Sequence, residues 1–144
     1  MKLITIIMPY YRKIDYVNRA IKSVINQTYK KFELIIVYDD QNSEDYHKIK
    51  KFIADNKKIR IIKNKKNIGA GKSRNVGLKN SNGNIITFID SDDTWHPQKL
   101  KKQLNFLDKN NYNFIFCAYK KILKTRYIKV ITKSKYLDYK DLLR

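Results

Sequence analysis

Short apolar segments alternate with amphipathic ones along the first 118 residues of the chain. Residues 3–8 are apolar at nearly every position, which is typical of a strand buried on both faces of a sheet. Similar short segments predict four more strands, at residues 32–37, 59–62, 84–89 and 114–118. Helical spacing of apolar residues predicts helices between them, at residues 15–27, 43–53, 72–79 and 97–107.

This alternation of strands and helices predicts an α/β fold. Parallel neighbours need crossover connections, and those usually run through a helix, so we expect a mostly parallel sheet with helices on both faces. Residues 120–131 alternate loosely, as in an edge strand or hairpin, and residues 139–144 begin another helical pattern. We therefore divide the chain into a core at residues 1–118 and a second region at residues 119–144.

Composition adds a strong positive charge to this picture. The chain has 32 Lys+Arg against 13 Asp+Glu, a net charge of +19, yet 42% of its residues are hydrophobic, which excludes intrinsic disorder as the main interpretation. The lysines are spread along the chain, so we expect no nucleic-acid partner, and a basic module for nucleic acid or anionic surfaces is kept as an alternative function. Residues 120–135 would be the basic patch of such a module.

The single cysteine and the short apolar segments bear on the compartment. Cys117 alone cannot form an intramolecular disulfide or a cysteine zinc cluster, and we expect it to be a small buried residue. No apolar segment is long enough to span a bilayer or to resemble a signal peptide. The sequence therefore predicts a soluble, cytoplasmic protein.

Polar residues follow three of the predicted strands at the point where each strand ends. Pro9 and Tyr11 end the first strand, Asp39 and Asp40 the second, and residues 90–93 (DSDD) the fourth. In open α/β sheets, ligands bind at the edge that the carboxyl ends of the strands share. Each signal alone is weak, because a carboxylate after a strand is commonly a turn residue or a helix cap.

The acidic cluster that follows the fourth strand suggests a metal. Asp90, Asp92 and Asp93 repel one another unless a cation or hydrogen-bond donors compensate them, and their oxygens suit Mg²⁺ or Mn²⁺. The alternative is a solvated turn in which Asp93 caps the following helix.

Four segments together resemble the family 2 nucleotide-sugar glycosyltransferases in order and spacing. They are IIMPYY at residues 6–11, QTY with FELIIV at residues 27–37, the segment at residues 69–75, and IDSDDTW at residues 89–95. The resemblance implies a GT-A fold that binds a nucleoside diphosphate sugar at the strand ends. Residues 1–118 would be this nucleotide-sugar-binding core, and residues 119–144 an edge strand or hairpin and the start of an incomplete acceptor-binding region.

For the base, the resemblance implies that Pro9 and Tyr11 line the pocket and that the Tyr11 ring packs on the base. Asp39 would accept a hydrogen bond from the ring N–H, which favours uracil. The chain reads Tyr38-Asp39-Asp40 where the family usually has Asp-Asp-Gly-Ser. We favour the register without a gap, which places Asp39 at the second Asp; with one inserted residue, Asp39 and Asp40 would be the pair.

For the rest of the donor, the resemblance implies that Arg74 lies over the nucleotide and that Asp90 or Ser91 approaches the ribose hydroxyls. Asp92 would hold Mn²⁺ or Mg²⁺ against the diphosphate. The implied activity is inverting, hexosyltransferase-type transfer from a UDP-sugar to a glycan or lipid-linked acceptor in bacterial polysaccharide biosynthesis. Peripheral contact with the anionic inner face of the membrane fits such an acceptor.

Two features limit the resemblance. The carboxylate base that an inverting transferase needs lies, in the family, downstream of the residues present here, so we expect this chain to bind the donor without transferring sugar. A rival interpretation is a P-loop nucleotide phosphohydrolase, because residues 69–73 (GAGKS) end like that motif. The motif also needs a glycine where the chain has Lys66, and its loop follows the first strand rather than the third.

Overall fold

The computed structural model describes residues 2–123 and 126–130 of the chain. The chain divides into two compact units, Met1–Leu104 and Asn105–Arg144. The elements are β1 (Ile4–Tyr10), α1 (Ile14–Ile25), β2 (Phe32–Tyr38), α2 (Ser43–Ile53), β3 (Ile59–Lys63), α3 (Ala70–Lys79), β4 (Ile85–Phe88), α4 (Lys99–Asn110), β5 (Tyr119–Leu123) and β6 (Arg126–Val130). The proposed division at residue 118 stays a prediction.

The first four strands form one parallel sheet in the order β3-β2-β1-β4. β1 pairs with β2 on one side, with Tyr10 opposite Tyr38, and with β4 on the other. Every residue of β1 is buried, as its nearly continuous apolar sequence predicts for a central strand. The predicted mostly parallel α/β fold is therefore confirmed.

Helices cover both faces of this sheet. On one face, Ile6 and Met8 of β1 belong to the main core, which includes residues of α1 and α2 and the first turns of α4. On the other face, Ile7 packs with Val76 of α3 in a smaller cluster. A Cβ atom at Gly77 would overlap the Ile7 side chain, so this glycine lets α3 approach β1 closely.

α2 starts at Ser43, as the sequence predicts, whereas α4 starts two residues later than predicted. Asn42 caps α2, because its side chain accepts hydrogen bonds from the backbone N–H groups of Glu44 (2.9 Å) and Asp45 (3.2 Å). α4 begins at Lys99, two residues after Pro97. The Pro97 carbonyl accepts a 2.8 Å hydrogen bond from the Thr28 N–H, so this stretch is held as a turn against the end of α1.

The second unit contains an antiparallel hairpin, β5–β6, as predicted for residues 120–131. The strand predicted at residues 114–118 is wrong: these residues have no regular structure, and Phe114 and Phe116 are exposed. An apolar run favours a strand only where a partner pairs with it, and β6 pairs with residues 119–123 instead. Cys117 is exposed, so its predicted burial is also wrong.

The helical pattern predicted at residues 139–144 lies outside the described residues. Within residues 2–123 and 126–130, no helix has the length and apolar character needed to cross a bilayer.

Candidate nucleotide-binding site

The structure brings the predicted site residues to one edge of the parallel sheet. β1 lies between β2 and β4, so the loops that follow these three strands are neighbours at their carboxyl ends. Pro9 is buried within β1, whereas Tyr11, the first residue after β1, is 44% exposed. The Asp39 N–H donates a 2.9 Å hydrogen bond to the Tyr10 carbonyl, which joins the ends of β1 and β2.

Asp39 is the most completely bonded carboxylate of the site. It is only 2% exposed, and its Oδ1 accepts hydrogen bonds from Asn64 Nδ2 (2.8 Å) and the Ile68 N–H (2.9 Å). Its Oδ2 accepts a 2.8 Å bond from the Gly69 N–H. Gly69 has a φ of +85°, a conformation that favours glycine, and α3 begins at the next residue. Asp39 therefore holds the loop that leads into α3 against the sheet.

Asp40 faces the loop after β1. Its Oδ2 accepts a 3.3 Å hydrogen bond from the Arg12 N–H, and its Oδ1 accepts a 2.7 Å bond from the Gln41 N–H. Arg12 has a φ of +49°, which a non-glycine residue adopts at some cost in strain. Its guanidinium lies 5.1 Å from the centre of the Tyr11 ring. A pocket of about 540 Å³ opens here; it is lined by Arg12, Ile14, Asp40, Gln41, Asn42 and Asp45.

Two stacked tyrosines lie next to this pocket. The rings of Tyr10 and Tyr38 are 4.8 Å apart, and the Tyr10 hydroxyl donates a 2.8 Å hydrogen bond to Asp45 Oδ2. Burial, reinforced by Asp45, raises the pKa of Tyr10 far above its usual value, and burial with the charges of Asp40 and Asp45 raises the pKa of Tyr38 to about 12. Both tyrosines are therefore neutral hydroxyl donors at physiological pH.

The acidic loop after β4 carries two ion pairs. Asp90 Oδ1 lies 2.6 Å from Arg74 Nη2, and Asp92 Oδ2 lies 3.0 Å from Lys13 Nζ. Burial, together with the charges of Asp90 and Asp92, raises the pKa of Asp93. Ser91, which lies between Asp90 and Asp92 in the sequence, is buried.

Gln27 holds the end of this loop. It is fully buried, its Nε2 donates a 2.8 Å hydrogen bond to the His96 carbonyl, and its Oε1 accepts a 3.0 Å bond from the Leu100 N–H. Trp95, at the end of the loop, packs against the main core. The amide of one side chain at the end of α1 therefore fixes both the exit of the acidic loop and the start of α4.

The fit of a divalent metal depends on how many carboxylates it needs. Among residues 2–123 and 126–130, no three His, Cys, Asp or Glu side chains are grouped as a metal site. Mg²⁺ is commonly held by one or two carboxylates and completed by substrate phosphates, so such a cluster is not required. The carboxylate of Asp92 supplies oxygen donors of the kind that such an ion prefers.

Several contacts in the site could not be found from the sequence. Asn64 donates a hydrogen bond to Asp39, and Lys13 pairs with Asp92. Neither Asn64 nor Lys13 belongs to a motif that the sequence reveals. The role of Asp40, left open by the sequence, is to join the loops after β1 and β2. Lys72, which the P-loop interpretation requires, is exposed on α3.

Comparison with known proteins decides the family. The model of glycosyl transferase family 2 matches residues 5–142. The chain belongs to this family. A relative from Haemophilus influenzae, an uncharacterized glycosyltransferase, is 38% identical over the whole chain and 58% of its own length.

Two further similar proteins have more specific names. The Escherichia coli protein WfgD, named as a UDP-Glc:α-D-GlcNAc-diphosphoundecaprenol β-1,3-glucosyltransferase, is 32% identical over 99% of the chain and 55% of its own length. The crystal structure of S. aureus TarS 1-349 with UDP-GlcNAc superposes with a TM-score of 0.70 and 28% identity, over 77% of this chain and 32% of that one. The fold is thus the GT-A fold, and this chain spans little more than half the length of the two curated relatives.

Proposed function

We propose that this chain is the donor-binding core of an inverting, hexosyltransferase-type family 2 glycosyltransferase that takes a UDP-sugar. The observation that carries the proposal is the convergence at one sheet edge of an exposed aromatic ring, buried carboxylates and a cation-paired acidic loop. A nucleoside diphosphate needs three features in its site: a surface on which the base can pack, acceptors for the N–H groups of the base, and positive charge near the phosphates.

At the base end, the exposed Tyr11 ring offers a stacking surface, and we propose that Pro9, which is buried near the end of β1, also lines the base site. Asp39 holds the loop before α3 through its hydrogen bonds, and we propose, as the resemblance implies, that its carboxylate accepts the uracil N–H. Asp40, the next residue, lines the pocket, and we propose that it supports the same end of the donor.

At the phosphate end, Arg74 supplies a guanidinium whose planar fork suits phosphate oxygens, and Asp90 holds it at the rim. Asp90 or Ser91 meets the ribose hydroxyls. Asp92 would hold Mn²⁺ or Mg²⁺, which when bound neutralises charge on the leaving diphosphate. The residues of the chain bind and orient the donor, and we assign no catalytic base.

The acceptor follows from the relatives by analogy. WfgD is named for transfer to a diphosphoundecaprenol-linked sugar, and we propose a glycan or lipid-linked acceptor of this class, as in polysaccharide biosynthesis. Contact with an anionic membrane and a cytoplasmic location remain predictions from the sequence. Family membership favours the transferase over the P-loop phosphohydrolase and the basic binding module.

The test is calorimetric titration of the 144-residue chain with UDP, GDP and ATP, with Mn²⁺ and with a chelator. We expect UDP to bind most tightly, and Asp92→Asn and chelation to weaken it to the same extent. Asp40→Asn should weaken UDP binding both with Mn²⁺ and with the chelator. Asp55→Asn, a change at an exposed carboxylate in the turn after α2, is the control and should have no effect. Equal affinity for the three nucleotides would contradict the assignment of the base site, and metal-independent binding would remove Asp92 from the metal role.

A further inference from the structure

Lys13 lies at the rim of the site, and neither the resemblance nor the proposed contacts use it. It is the residue before α1, and its carbonyl accepts hydrogen bonds of 3.0 Å from the N–H groups of Tyr16 and Val17. These bonds are part of the first turn of the helix, so the backbone of Lys13 is fixed at the carboxyl end of β1.

The side chain of Lys13 is also held at two points. Its ammonium lies 3.0 Å from Asp92 Oδ2 and 5.8 Å from the centre of the Tyr16 ring. The pair links the loop after β1 to the loop after β4, and both side chains are about half exposed, at 45% and 41%. The ammonium is therefore directed at the carboxylate that the proposed function assigns to the metal, in a position that solvent and ligands can reach.

A lysine ammonium and a divalent cation cannot both occupy the same face of one carboxylate, because they repel each other and share the same oxygen ligands. A nucleoside diphosphate changes this balance, since its phosphate oxygens attract the ammonium. Lysine is a point charge on a flexible stem of four carbons, so its ammonium can move from Asp92 to a phosphate without a change in the backbone.

We propose that Lys13 is a positioning residue that competes with the divalent metal for Asp92 and thereby couples metal binding to nucleotide binding. This inference rests on the proposed function of the same site. Without nucleotide, Lys13 neutralises Asp92 and weakens metal binding; with nucleotide, it turns to the diphosphate and leaves Asp92 to the metal. Because such coupling is reciprocal, metal must strengthen nucleotide binding by the same factor.

The experiment measures Mn²⁺ binding directly, from the electron paramagnetic resonance signal of free Mn²⁺, for the 144-residue chain with and without UDP. The variants are Lys13→Met, Lys13→Arg and, as the matched control, Lys48→Met. Lys48 forms an exposed pair with Glu44 at 2.6 Å on α2, so its replacement removes the same charge and a similar pair.

We expect Lys13→Met to bind Mn²⁺ about two- to fivefold more tightly than the wild type without UDP, which is the range that exposed ion pairs cover. The gain in Mn²⁺ affinity that UDP causes should shrink by a similar factor. Lys13→Arg should behave like the wild type, and Lys48→Met should change neither quantity.

Three outcomes would overturn the proposal: unchanged or weaker Mn²⁺ binding by Lys13→Met without UDP, no Mn²⁺ binding by that variant at all, or the same change in Lys48→Met, which would show an effect of net charge alone. The arm without UDP involves no nucleotide. A failure of UDP to bind the wild type would therefore refute the proposed function, while the Mn²⁺ arm still decides the role of Lys13.

Discussion

Replacing Asp39 with asparagine tests the carboxylate on which the loop before α3 depends. The amide oxygen of asparagine can still accept the bonds from Asn64 and the Ile68 N–H. Its NH₂ group then faces the Gly69 N–H, which now donates 2.8 Å to Asp39 Oδ2, so two donors are opposed. The loss of one charge-assisted bond at a buried site costs roughly 1.5–3 kcal/mol, and the unpaired Gly69 N–H adds about 1 kcal/mol or more.

We therefore expect Asp39→Asn to lower the free energy of unfolding by about 2.5–4 kcal/mol, a large part of the total stability of a domain of this size. Urea unfolding followed by circular dichroism measures this loss, and the fluorescence of the single tryptophan, Trp95, gives a second probe. Asp55→Asn makes the same chemical change at an exposed turn and should stay within about 0.5 kcal/mol of the wild type. A loss below about 1 kcal/mol for Asp39→Asn would show that the three hydrogen bonds do not hold this loop.

Two further predictions concern the other charged groups. Arg74→Ala should weaken UDP binding by ~1–3 kcal/mol, the range of a charge-assisted hydrogen bond, whereas Lys72→Ala should leave it nearly unchanged; calorimetry that gives the reverse order, with ATP hydrolysis, would favour a phosphohydrolase. Burial alone would raise the pKa of Glu33, but hydrogen bonds from Thr5 and Asn82 and the charge of Arg60 outweigh burial and lower this pKa. The contribution of Glu33 to stability is therefore complete above its unfolded pKa of about 4.3, and it is lost as the pH falls through the lower folded value. Urea midpoints across that acid range should fall less steeply for Glu33→Gln than for the wild type, and parallel slopes would contradict this assignment.

The sheet could be predicted from the sequence because its signals are local. Residues 3–8 are apolar at nearly every position, which is typical of a central strand, and the helices between strands favour parallel pairing. The run at residues 114–118 gave the same apolar signal and formed no strand. Whether a strand forms depends on which segment pairs with it, and that is decided by distant parts of the chain.

The candidate site could be predicted only in outline. Strand ends placed Tyr11, Asp39 and the acidic loop at one edge, because that follows from topology. The partners of Asp39 are mostly backbone N–H groups, which have no sequence signature. The pair between Lys13 and Asp92 joins residues far apart in sequence, so neither residue predicts the other.

The strand order has a consequence for how the chain folds during synthesis. β1 is made first but lies second from one end of the sheet, and its partner β4 is among the last elements of the sheet to appear. At roughly 5–20 residues per second, one edge of an almost wholly apolar strand waits several seconds on the ribosome for residues 85–88. An early hairpin cannot protect it, because parallel pairs need a crossover. A nascent chain stalled before β4 should therefore bind holdase chaperones more strongly than one stalled after it.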